Sequence, residues 1–429
     1  MRIAAAKARV RGFSNNALGA GGASASTRQL RIIYLARALV SASRAIAAIG
    51  APIYLAARGF SASKLGLIFA LGSVFSLIIS FVIGTTADRL GRKVFLVAYP
   101  LMVAVASFVF AFSTSEVLLA AMAIVASFGR GAGAGANATG PYQPAETALV
   151  ADLAQGSSRS PAFSRITQMS IIGSIVGSGV SVVAFGGLSA HGHHDSFTGA
   201  FLFAGLFVLV GGLVALALAD DRPTGMKRPD RKGVLPRGSL GLLGRLWITN
   251  ALNGFAVGMF GPFVSYFLYR KFGASPSEIA LLYLVVNLVT LGPVGRVAAV
   301  AARFGNIRVT VALRLIQAIL LIPFAYAPVF WAAGAIFLVR TLAQRSALPL
   351  RQSYVQAMSD PDERARVAAL SNIPSQAALV VSPAVSGYLF DVASLEIPFF
   401  IGGILQLVST IFYWGFFANS PPPEERGDP

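Results

Sequence analysis

Apolar residues run along this chain in long unbroken blocks, separated by short polar turns. Blocks of about 20 residues match the hydrocarbon thickness of a bilayer. The runs are continuous rather than alternating, so they predict membrane helices and not the strands of a barrel. Twelve such spans are expected: 31–56, 65–86, 94–113, 117–140, 164–187, 197–219, 240–268, 279–302, 308–327, 329–352, 366–390 and 396–418. The expected fold is all-α and integral to the membrane.

One long polar break, 220–239, divides six spans from six. It separates a six-helix half, 30–219, from a second, 240–418, with a disordered basic tail at 1–29 and a short tail at 419–429. The halves echo each other. One constant offset lays Ser63, Lys64 and Leu65 over Ser277, Glu278 and Ile279, and Arg89, Leu90 and Gly91 over Arg303, Phe304 and Gly305. A slightly smaller offset lays Pro144 over Pro349 and Arg159 over Arg364. Two pseudo-symmetric halves of six helices suit a secondary transporter rocking about a central site.

Composition supports the membrane reading. The chain of 429 residues is 55% hydrophobic and 12% charged, against roughly 25% charged for a soluble protein. Its net charge of +18 would suggest nucleic acid in a soluble chain. Here Lys and Arg gather in alternate turns, so they report topology instead: the richer side is cytoplasmic, and with an even number of spans both termini lie there. That places the chain in the plasma (inner) membrane. The segment 1–29, basic and free of acids, also matches an organellar transit peptide, which would place the chain in an organellar membrane. There is no cysteine, which excludes disulfide and thiol chemistry.

The turn after the second span reads Gly84-Thr85-Thr86-Ala87-Asp88-Arg89-Leu90-Gly91-Arg92-Lys93. Gly84 would let helices approach closely, Gly91 would allow a tight turn, and Asp88 and Arg92 would pair if the helix continued between them. This segment resembles the signature loop of the major facilitator superfamily, and the twelve spans, central loop and decayed second copy at Arg303 and Gly305 extend the resemblance along the whole chain. The resemblance implies that Asp88 contacts the start of helix 11 and helps hold one conformation. It also implies that Arg92 links to an acid at the inner end of helix 4, here Glu146 or Asp152. The second copy has Ala302 at the aspartate position, so the latch is expected on one side only.

Ionisable groups inside spans are costly and usually face a cavity or a partner. Arg44 lies within the span 31–56, Arg130 within 117–140 and Arg340 within 329–352. All three fall near mid-depth at the helical rise. In the family resembled, helices 1, 4, 7 and 10 line the central cavity, and helix 7 adds Asn250 and Asn253. Of the 17 acids, only Asp88 and Glu146 approach the bilayer, both at the inner end. Three mid-depth cations without a mid-depth carboxylate predict an anionic or strongly polar organic substrate held by Arg44, Arg130 and Arg340. Against this stands a structural role for Arg130, which resembles a degenerate second family motif, and a simple pairing of Arg44 with Glu146.

Glycine and proline at 129–144, at Gly258, Gly261 and Pro262, and at Gly292 and Pro293 mark expected hinges. Gly173 and Gly177 read as close helix packing. His191, His193 and His194 beside Asp195 read as a solvated loop rather than a metal site. No phosphate-binding loop, in-span histidine or catalytic constellation is present, so neither an enzyme nor a cofactor is expected. Three functions remain. The first is a monomeric permease for a small polar, anionic solute, coupled to a proton or other ion and working by alternating access. The second is a proton-coupled drug or metabolite efflux antiporter, disfavoured by the missing mid-depth carboxylate. The third, of another class, is a transporter-like receptor or lipid-handling protein. The bilayer is the expected environment, and nucleic acid is not an expected partner.

Overall fold

The computed structural model describes residues 2–128, 140–154, 159–187, 193–219, 238–292, 297–360, 363–420 and 422. Arg130, most of the 129–144 hinge, His191, Pro293 and nearly all of the 220–239 loop fall outside them, as does the side chain of Asp88.

The described chain is helical throughout: α1 (Arg2–Ala57), α2 (Ala62–Leu90), α3 (Arg92–Phe112), α4 (Glu116–Ala126), α5 (Gln143–Leu153), α6 (Arg159–Gly187), α7 (His193–Ala215) and α8 (Leu240–Phe260). There follow α9 (Val264–Phe272), α10 (Pro276–Thr290), α11 (Val297–Phe304), α12 (Asn306–Ala325), α13 (Phe330–Met358), α14 (Arg364–Ser371), α15 (Ile373–Val392) and α16 (Ile397–Phe417). Nine described stretches are long and apolar enough to cross a membrane, and α4 and α10 are shorter apolar helices. The chain is a multi-pass membrane protein. Large apolar side chains such as Phe81, Phe112 and Val183 face outward, as lipid-facing residues do when the surrounding solvent is hydrocarbon. The segment expected as a tail, 1–29, enters as the leading part of α1; the membrane-length portion is Ser26–Ala57.

Several expected spans are interrupted, for local reasons. The block 240–268 breaks into α8 and α9 through a 3₁₀ turn at Gly261–Phe263, where Pro262 removes a backbone donor. The block 366–390 divides at Asn372, one residue before the Ile373-Pro374 start of α15. Between α2 and α3, Gly91 takes φ 89° and ψ 138°, a backbone that favours glycine. Gly305, its counterpart between α11 and α12, takes the same pair of angles. The serines that cap α2 and α10, Ser61 and Ser275, stand in the same relation and both accept from the third residue inward.

α1 packs on α6 and α7, and α3 on α7; α8 packs on α15 and α16, and α12 on α13 and α16. The two groups meet chiefly where α2 lies against α15 and α6 against α10. Asp391, at the end of α15, accepts from the backbone N–H groups of Ala62 (3.1 Å) and Ser63 (2.8 Å) at the start of α2. Below that contact Gly66 and Gly387 press α2 and α15 together so closely that a Cβ on either would strike the opposite backbone. Phe69 and Phe263 meet edge to face. Ser265 donates to the carbonyl of Ala48 and Ser277 to that of Val182. These contacts share the end of the bundle that holds the turns at 58–61, 273–275 and 393–396, the upper end. Among the described residues, the hydrogen bonds between the two groups lie at this end or at mid-depth.

Candidate functional site

Arg340 is fixed by α13 at the point where that helix faces α8 and α16. Its side chain is 1% exposed. Nη2 donates to Gln406 Oε1 (3.1 Å) and Nη1 to Gln344 Oε1 (3.2 Å), while the guanidinium lies 3.8 Å from the ring centroid of Phe260. Gln406 Nε2 in turn donates to Asn253 Oδ1 at 3.2 Å. Arg340 Nε is buried with no acceptor. The cation is thus met by two neutral amides and an aromatic face, with no carboxylate. A cation in such surroundings has unspent capacity to bind an anion.

Arg345, Arg351 and Arg314, in the same group of helices, also turn to neutral partners. Arg345 donates to Thr290 Oγ1 and, at 2.8 Å, to Asn287 Oδ1; Asn287 Nδ2 then donates to Ser178 Oγ (3.2 Å), so the chain of bonds crosses from α13 through α10 to α6. Arg351 donates to Asn250 Oδ1 (2.8 Å) and to Asn372 Oδ1 (3.0 Å), and Asn250 donates to the carbonyl of Ser371. Arg314 donates to Ser409 Oγ at 3.0 Å. Every one of these acceptors is neutral.

In the first group, Arg37 and Glu146 form a buried ion pair at 2.7 Å, with the buried Tyr142 one turn before Glu146 on the chain. Arg44 is half-buried, two turns after Arg37 and within electrostatic reach of the Tyr142 hydroxyl. The alternative pairing of Arg44 with Glu146 gives way to Arg37, which takes that carboxylate. Arg92 pairs with Asp152, which lies 57% exposed at the far end of α5. Gly91 ends α2 before α3 begins, so no continuous helix runs from Asp88 to Arg92, and the Asp88 side chain lies outside the described residues. Arg89 is exposed. Gly84 corrects another expectation: a Cβ there would meet nothing within 4 Å. Close approach is made instead by Gly173 and Gly177, which press on Ala38 and Ala42 of α1.

The structure brings Arg340 and Asn253 together through Gln406. Asn250 belongs with Arg351, Arg44 stands in the other group, and Arg130 is outside the described residues. Sequence reasoning missed Gln406, Arg345 and Arg314. Their signal was the same one that revealed Arg340: a strongly polar side chain within an apolar run. Among the described residues no cluster of histidine and acidic side chains fits a metal ion.

The family model described as Major Facilitator Superfamily matches residues 33–245 and again residues 246–429. The chain is similar to the quinolone resistance protein NorA of Staphylococcus aureus, at 26% identity over 170 residues, 40% of this chain and 39% of that protein. The match therefore spans about two fifths of that relative's length. Among solved structures, the nucleoside transporter NupG superposes with a TM-score of 0.70 at 16% identity, covering 91% of this chain and 100% of its own. A D-xylose-proton symporter gives 0.67 at 15% identity, covering 93% and 98%. The human organic anion transporter MFSD10 gives 0.57 at 17%, covering 90% and 99%. At these identities the structural likeness speaks for the fold alone. The two family matches run from residue 33 to the end of the chain, and the chain belongs to the major facilitator superfamily of membrane transporters.

Proposed function

We propose that the chain is a secondary active transporter of twelve membrane helices in two pseudo-symmetric halves, carrying a small polar, anionic organic solute by alternating access. In this reading α4 with α5, α8 with α9, α10 with α11, and α14 with α15 each make one crossing, and α13 makes another despite its three arginines. The linker near 220–239 joins the halves, both termini face the cytoplasm, and the plasma membrane is the host.

The observation that carries the substrate class is Arg340, a buried cation whose partners are all neutral and whose Nε has no acceptor. Arg340, Gln406 and Asn253 would receive a carboxylate or phosphate, and Arg44 and Arg130 would meet it from the opposite half. Arg92 with Asp152, beside the Asp88 turn, would hold α3 against α5 while the halves rock. No step needs a cofactor.

The test is ligand-dependent thermal stabilisation of detergent-purified protein, followed by uptake into liposomes. Organic anions are expected to raise the melting temperature. Arg340→Gln is expected to weaken the effective anion by roughly tenfold to a hundredfold, the worth of a charge-assisted hydrogen bond. Unchanged transport in Arg340→Gln overturns the reading. Stabilisation by hydrophobic cations alone would favour the second reading, drug efflux, which rests on the similarity to the quinolone resistance protein.

A further inference from the structure

Arg314 has no part in the substrate reading, and its surroundings are unusual for a charge. It is the ninth residue of α12, about 12 Å along that helix at the ordinary rise, which is close to mid-depth. The side chain is 5% exposed. Its Nη2 donates to Ser409 Oγ, which itself donates to the carbonyl of Thr249 at 2.8 Å. Its Cζ lies 4.7 Å from the ring centroid of Tyr413. Nη1 is buried with no acceptor.

Tyr413 is 0% exposed, and its hydroxyl is buried without a partner. A second guanidinium, Arg351, is within electrostatic reach of both Arg314 and that hydroxyl. Arg351 is held by the amides of Asn250 and Asn372 and is partly exposed, so it opens the cluster toward the lower end of the bundle. Of the described carboxylates near this end of α8, Glu363 is engaged elsewhere. Glu363 accepts from the N–H groups of Gly238 and Ser239, and Asp360 lies against Gly238. Two like charges therefore sit together in a low-dielectric setting, facing only neutral acceptors and a ring. Buried charges are ordinarily paired, and a buried donor without an acceptor is itself unfavourable.

We propose that Arg314, Arg351 and the Tyr413 hydroxyl bind a small monovalent inorganic anion of the chloride class, between α8, α12, α13 and α16 and apart from the Arg340 site. The free donors number two, Arg314 Nη1–H and the Tyr413 hydroxyl, with Arg351 adding charge from the side. That set suits a spherical monovalent ion better than a phosphate, whose oxygens call for more donors. Bound there, the anion offsets one of the two guanidinium charges, reduces their mutual repulsion and lets the four helices pack as one block.

The experiment is thermal unfolding of the full chain in detergent, with chloride titrated against gluconate at constant sodium and constant ionic strength. The constant ionic strength matters because a chain of net charge +18 responds to salt in general. Chloride and bromide are expected to raise the melting temperature saturably, by several degrees. Tyr413→Phe, which keeps the ring and deletes one donor, is expected to raise the chloride midpoint by roughly five- to tenfold. Arg314→Gln is expected to abolish the response, whereas Arg340→Gln keeps it, so failure of this site and failure of the substrate site are told apart. If Arg314→Gln does not fold, Tyr413→Phe and the position of bromide by anomalous scattering decide. A melting temperature that follows ionic strength whatever the anion overturns the proposal. So does a chloride response unaltered in Tyr413→Phe, or bromide found only at the surface.

Discussion

Arg37 and Glu146 lie on different helices and meet in the protein interior at 2.7 Å, with two of the three guanidinium nitrogens of Arg37 lacking an acceptor. Removing one member of such a pair strands the other. Glu146→Gln is expected to lose about 3 kcal/mol of stability, and Arg37→Leu combined with Glu146→Leu to lose less than either change alone; unfolding in micelles measures both. Arg44 and Arg340 were legible in the sequence, because a guanidinium in an apolar run stands out, whereas Arg314 and Arg345, which carry the same signal, were passed over. The partners were not legible. Arg340 takes Gln406, 66 positions away, and Arg345 takes Asn287, 58 positions away. Such choices depend on how helices lean together, which hydropathy does not encode. The pairing of Arg92 with Asp152 was one of two options the sequence had left. Asp152 lies beyond Glu146 on α5 by well over one helical turn, toward the end where α3 begins.

At the scale of elements, apolar blocks marked where helices run, and glycine and proline marked where they stop. The break at Gly261–Phe263 follows from Pro262, and the turn at Gly91 from a positive φ. The length of a crossing was harder to read. α13 runs from Phe330 to Met358, beyond the expected span, and its lower half alternates buried residues such as Leu350, Tyr354 and Val355 with exposed polar ones. Contacts between element ends have their own chemistry. Lys271, at the end of α9, donates to the carbonyl of Ala325 and to Glu396 Oε1 (2.8 Å), joining α9 to the connections of α12 and α16. Partial burial alone would raise the Glu396 carboxyl, but the hydrogen bond and charge of Lys271 outweigh it and hold the group below its ordinary value. A carboxyl lowered on folding adds stability above its unfolded pKa, and that stability is lost as pH falls through the folded value. Glu396→Gln is therefore expected to lower the melting temperature at pH 7, by at most the ~1 kcal/mol of a partly exposed pair. The difference from the parent should shrink as the pH falls below the ordinary carboxylate range and vanish below the lowered folded value. A gap that persists at low pH would assign the loss to packing instead.

Across the whole molecule, the two groups of helices are joined at the upper end by a carboxylate of one set against a helix start of the other. Asp391→Asn keeps one acceptor oxygen where the carboxylate offers Ala62 and Ser63 one each, and removes the charge that favours a helix N-terminus. It is expected to shift the balance between closed and open upper ends by roughly twofold to fivefold. Spin labels on Lys64→Cys and Val392→Cys, in a chain that has no cysteine of its own, would report the change as a distance. An unaltered distribution would leave the closure to the glycine contact beneath. The repeat expected from aligned residues has one counterpart in backbone geometry: Gly91 and Gly305 share their angles although their neighbours differ.

The position of Asp391 at the water-exposed rim has a kinetic consequence. If the halves rock as proposed, then when the upper end parts, the N–H groups of Ala62 and Ser63 and the carboxylate that held them are each met at once by water, so their separation leaves no group bare along the way. The same exchange in reverse lets them rejoin without a search. Water acts there as a lubricant, and the resistance to opening is left to the dry layer beneath, where Gly66 meets Gly387 and Phe69 meets Phe263 and no solvent stands ready to take a partner's place.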